Sequence, residues 1–167
     1  MNIIIQSTLT TLLKSKYLLT NLSSAQLSNT SVPPYYSSIG SHVRHILDFY
    51  DCILNVDSSR QIDFTARTRN KEVENCCDKA LEYLSSIIER LECINYNLDD
   101  LVMITDDLGI GKVNMPYTLA SALAQANSHT IHHYAIINYI MDGLNISFGD
   151  SEFGYNPTTP RKIITNS

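Results

Sequence analysis

Residues 127–137, NSHTIHHYAII, place three of the chain's five histidines inside a long apolar run that suits a helix. His129 and His133 are four apart and so stand one above the other on a helix. At about 100° of rotation per residue they share a stripe with Ala122, Ala126, Ile136 and Ile140, the face that a helix buries. Two imidazoles therefore point into a core. Leaving such rings unpaired there costs about 1–3 kcal/mol each, so each requires a hydrogen bond, a water or a metal ion.

The helix that carries them is predicted over 119–143, with Pro116 and Thr118 marking its start and Gly143 its C-cap. Just upstream, β-branched and apolar residues gather at 101–105 and 110–113 around the turn signal Asp106-Asp107-Leu108-Gly109, which predicts a small β-hairpin. Three-four spacing predicts three further helices. The first, over 5–27, runs through Ile5, Leu9, Leu12, Leu19 and Leu22. The second, over 39–55, has an outer face of Ser41, Arg44, Asp48 and Asp51 and carries His42 and His45 on its inward half. The third, over 71–94, turns Val73, Cys77, Leu84, Ile87 and Leu91 inward and Glu72, Glu74, Glu82, Glu89 and Glu92 outward. Pro33 and Pro34 make 29–38 a loop, with Ser37 or Ser38 free to cap the second helix. Residues 57–70 lack a period and read as a surface connection that shapes a pocket mouth, and 144–167 read as a tail that packs as coil. The expectation is an all-α fold, a four-helix bundle with one long crossover and a hairpin before the last helix, in a single domain over 1–167.

A chain of 167 residues can bury about two thirds of its unfolded surface in one core. The net charge of −5, with both signs interspersed, offers no extended positive face to nucleic acid or anionic lipid. The opening residues lack a positive n-region and a continuous apolar run, so a cytoplasmic start is expected, and Cys52, Cys76, Cys77 and Cys93 lack zinc-knuckle spacing and read as reduced thiols. Cys52 reads as a small apolar filler. Asp106, Asp107 and Gly109 lack the remaining ligands of a calcium loop and read as a turn.

A catalytic zinc-type site takes about three neutral nitrogen ligands and an open position. His129 and His133 supply two, and helical geometry leaves His42 and His45 as equal candidates for the third. A lone inward histidine is ordinarily a hydrogen-bonded core residue. Two on one helix and more on another favour a metal, although the Glu of H-E-x-x-H is missing.

The segments SIGSHVRHILDFYDCIL (38–54), SHTIHHYAII (128–137) and FGYNPTTPRK (153–162) closely resemble the DinB/YfiT-like superfamily, in order and spacing across nearly the whole chain. The resemblance implies a divalent metal, zinc or nickel most often, held by His45, His129 and His133, with His42 and His132 outside the ligand set, where each either orients a ligand or relays a proton or, equally, plays a plain structural role. Phe49 departs from the pattern, since relatives often carry another histidine there. The family implies a thiol-dependent S-transferase or a hydrolase acting on a small molecule, with a low-molecular-weight thiol as partner, in a cytoplasmic homodimer. Either chemistry suits a bound ion, which can lower the pKa of water from 15.7 to about 7 or activate a thiolate. The rival expectation is a non-catalytic stress-response or binding bundle whose metal is structural or absent.

Overall fold

The computed structural model describes residues 2–160. Four long helices, α1 (Ile3–Thr20), α3 (Ile39–Leu54), α5 (Cys77–Glu92) and α6 (Leu119–Gly143), enclose one core; two short ones, α2 (Ser24–Leu27) and α4 (Lys71–Asn75), lie between them. α1 and α3 each pack against both α5 and α6, so α3 and α6 share a face over which their histidines meet.

The expectation of an all-α fold is corrected by a three-stranded sheet, which makes the architecture mixed α/β. The hairpin is longer than its sequence signal: β2 (Leu101–Asp107) pairs antiparallel with β3 (Lys112–Thr118), Asp107 accepting from the N–H groups of Gly109 and Gly111 at the turn. The third strand comes from the stretch that reads as a surface connection. There β1 (Gln61–Asp63) pairs in parallel with β2, Ile62 opposite Ile104, and both of those side chains are buried. Three residues are too few for an alternating pattern to register, and the strand owes its existence to a partner some forty residues later.

Two predicted helices are each broken in two. Over 5–27, α1 ends at Thr20 with Asn21 as its C-cap, and the Ser23–Gln26 capping box starts α2. Over 71–94 the break falls at Cys76, whose backbone is extended, and the N–H of Cys77 donates instead to Ser24 Oγ on α2 at 3.1 Å. Ser38 caps α3 and Thr118 caps α6, each accepting from the N–H three residues on. Gly143 is the last residue of α6 rather than a left-handed cap; positive φ falls at Asn145.

The face of α3 that reads as outer from its charges is covered. Asp48 is 2% exposed because α4 and α5 pack over this face, and Glu74 of α4, 7% exposed, is buried against it. Arg44 bridges the two, donating from Nη1 to Asp48 at 2.8 Å and from Nε to Glu74 at 3.0 Å, and Lys71 donates to the other Glu74 oxygen. Burial raises the Glu74 carboxyl, but hydrogen bonds and charge from Lys71 and Arg44 outweigh it and hold the group below its usual range. The described part of the tail has no regular helix or strand and packs on the core, as expected: Phe153 is fully buried and stacks on Tyr134. Residues 161–167, which include the end of the quoted tail motif, lie outside the described residues. No helix among the described residues is long and apolar enough to cross a membrane.

Candidate metal centre

α3 and α6 bring His45, His129 and His133 together, with one ring nitrogen of each lying within 4.8 Å of the others. His129 Nε2 lies 2.8 Å from His45 Nε2 and 3.1 Å from His133 Nε2. The four-residue spacing sets the two α6 rings side by side, and they meet edge to face. His133 is buried, while His45 and His129 are half-buried, so one side of the cluster reaches solvent.

His42 stands outside the trio. Its Nδ1 lies 2.8 Å from His133 Nδ1, and its Nε2 lies 2.9 Å from Ser37 Oγ, which makes a chain from the loop before α3 to the ligand on α6. Such an outer partner fixes the ring orientation of a ligand. His132 is exposed, its ring hydrogen-bonds to nothing among the described residues, and its centroid lies 5.5 Å from that of His133.

Three neighbours escape sequence reasoning. Ser37 reads there only as a cap. Phe64, just after β1, stacks on Phe49 at 3.9 Å and walls the site. Arg67 donates from Nη1 to His45 Nδ1 at 2.8 Å. Both Phe64 and Arg67 sit in the stretch without a period, whose side-chain directions are set only by the pairing of β1 with β2. Residues 57–70 thus contribute Phe64 and Arg67 to the surroundings of the site. A groove of about 490 Å³ between α1, α6 and the tail, lined by Thr11, Lys14, Asn127 and Tyr134, contains none of the five histidines.

Burial first, then mutual repulsion among the rings, holds His45 down to about 3 and His133 to about 2. His42 and His129 are lowered for the same leading reason, Asp106 partly opposing the shift at His129. All four rings are therefore neutral at pH 7, with lone pairs available and no proton to displace. A neutral imidazole nitrogen offers one proton or one lone pair. His129 Nε2 has two nitrogen neighbours and can pair properly with only one, whichever tautomers form. A cation shared by all three nitrogens removes that conflict. On a tetrahedral ion with metal–nitrogen distances of about 2.0–2.1 Å, such nitrogens stand about 3.3 Å apart, so the two pairs at 2.8 and 3.1 Å need to open by only a few tenths of an ångström. The donor set fits a divalent ion.

No family model, curated protein or solved structure matches the chain. Its three clustered histidines could bind a metal ion.

The lowered values fix a pH dependence. With folded pKa values below the unfolded 6.5, the unfolded chain binds more protons in acid, so the stability contributed by neutral rings is complete above pH 6.5 and is lost as pH falls from there toward 3. Metal-free protein is expected to lose about 2 kcal/mol between pH 7 and pH 5, after discounting for solvent around the half-buried rings. Urea unfolding at the two pH values measures this, and an unchanged midpoint would contradict neutral burial.

Proposed function

We propose that the protein is a divalent-metal-dependent enzyme of the DinB/YfiT-like type acting on a small molecule, with His45, His129 and His133 holding zinc or nickel. The observation that carries the reading is the oversubscribed His129 Nε2, flanked by two imidazole nitrogens at 2.8 and 3.1 Å. The ligand set supports a catalytic rather than a closed site, since among the described residues it comprises three side chains and a closed zinc site takes four. An ion bound there supplies Lewis acidity, which makes water or a thiol acidic near neutral pH. The chain's own residues bind and orient: His133 is held by His42, His42 is anchored by Ser37, and Phe49 with Phe64 screens one side from water. Thiol-dependent S-transfer and hydrolysis are the reactions proposed, and imidazole donors suit zinc and nickel alike.

A second reading has its own support. Arg67 and Ser37 satisfy the outer nitrogens of the histidine chain, as in a non-catalytic bundle that needs no metal. Metal analysis of protein purified without a histidine tag separates the two. The enzyme reading expects about one zinc or nickel per chain, retained through dialysis or regained on adding the salt; a chain that stays metal-free after both treatments leaves the second reading standing.

A further inference from the structure

Arg67 is a half-buried guanidinium without a carboxylate. Arg44, Arg60 and Arg90 each pair with an aspartate or glutamate, whereas no acidic side chain among the described residues lies within ion-pair distance of Arg67. Its Nε is buried and donates to nothing. Its Nη1 rests on His45 Nδ1. That last contact is incompatible with the filled site: once His45 Nε2 gives its lone pair to a cation, the neutral ring carries its proton on Nδ1, and Nδ1 then faces a second donor. The guanidinium must turn to another acceptor. It can do so because it lies in the coil between β1 and α4, tied at one end by the Asp63–Thr65 turn and at the other by the Asn70 cap of α4.

Charge points to what that acceptor is. Three neutral imidazoles and a divalent ion carry +2, and Arg67 raises the total to +3 with no carboxylate among the ligands. A ligand that brings a carboxylate offers the fork of Arg67 two parallel acceptors and offsets the excess charge. We propose that Arg67 is a specificity-determining residue that docks a carboxylate of the small molecule whose reacting end occupies the open position of the three-histidine site. The inference rests on the metal reading and names the substrate class: a carboxylate-bearing small molecule.

The test uses the full chain loaded with Co²⁺, which reports ligands through its visible spectrum. Two probes are titrated, 3-mercaptopropionate and its uncharged analogue 3-mercapto-1-propanol, which present the same thiol with and without the carboxylate. The intact protein is expected to bind the charged probe about 10-fold more tightly, the increment of a charge-assisted pair. Arg67→Gln is expected to keep its cobalt and lose that preference, and Arg67→Lys to recover part of it. An equal response to both probes, a preference that persists in Arg67→Gln, or loss of cobalt from that variant would overturn the proposal, while cobalt bound by the intact protein would leave the metal reading standing. If the intact protein takes up no cobalt, both readings fail, and the cobalt stoichiometry shows it before any probe is added.

Discussion

Alanine at His133 is expected to abolish stoichiometric metal uptake, with the affinity for zinc falling by more than about 100-fold. Outer partners of a metal ligand are worth about 10–100-fold, and a ligand itself more. His133 is the pivot of the cluster, since its Nε2 faces His129 and its Nδ1 faces His42. His45→Ala and His129→Ala should match it. His42→Ala should fall in the outer-partner range, because the Nδ1 of His133 would lose its only side-chain acceptor among the described residues, and His132→Ala should bind as the parent does, its exposed ring lying off the convergence of nitrogens. Competition against a chromophoric chelator measures all five variants on one scale. A His133→Ala protein that keeps full metal content would show that the ion, if any, is held elsewhere.

That ranking is legible only in part from sequence. The pair on α6 is, because four residues of helix fix two side chains on one stripe without reference to anything else. The third ligand is not, since His42 and His45 both occupy the inward half of α3 and only the packing of α3 against α6 sets which one reaches the trio; the DinB-like resemblance implies His45, and the cluster contains it. The long helices are legible from their period. The breaks at 21–23 and Cys76 are not, because they depend on a local cap and on a hydroxyl lent by α2. β1 and Arg67 are invisible for the same reason: a three-residue strand and an aperiodic arginine acquire positions only from β2 and His45. Asp48 and Glu74 read as outward on charge alone, and the structure buries them because Arg44 supplies the counter-charge. The missing information lies in contacts between segments far apart in the chain.

Gly40→Ala should produce the largest loss of stability outside the core. A Cβ at that position would meet the Glu74 carbonyl oxygen at 2.0 Å and the Glu74 Cα at 3.0 Å, so the obstacle is backbone and cannot rotate aside. α3 and α4 touch through this glycine, and the methyl group forces them apart. Overpacking costs about 1–3 kcal/mol, occasionally more, while alanine returns up to about 1 kcal/mol of helix propensity. Separation has a second consequence: it draws Glu74, 7% exposed, away from Arg44, so that a buried carboxylate loses one of its two cationic partners and keeps only Lys71. A net loss of about 2–3 kcal/mol, seen as a fall in Tm of about 5–10 °C, is therefore expected by calorimetry. Gly143→Ala is the control. There the new methyl group meets Val32 Cγ1 at 2.7 Å and Cγ2 at 3.1 Å, side-chain atoms of a loop residue that can shift more readily than packed helix backbone, so the loss should be smaller than for Gly40→Ala. The difference bears on the metal as well, because Gly40 lies in the first turn of the helix that carries His45, and moving that turn moves a ligand. Gly40→Ala should bind zinc more weakly than the parent, whereas Gly143→Ala, at the end of α6 beyond His133, should not. Equal melting temperatures for Gly40→Ala and the parent would mean that α3 and α4 do not meet as closely as 2.0 Å implies.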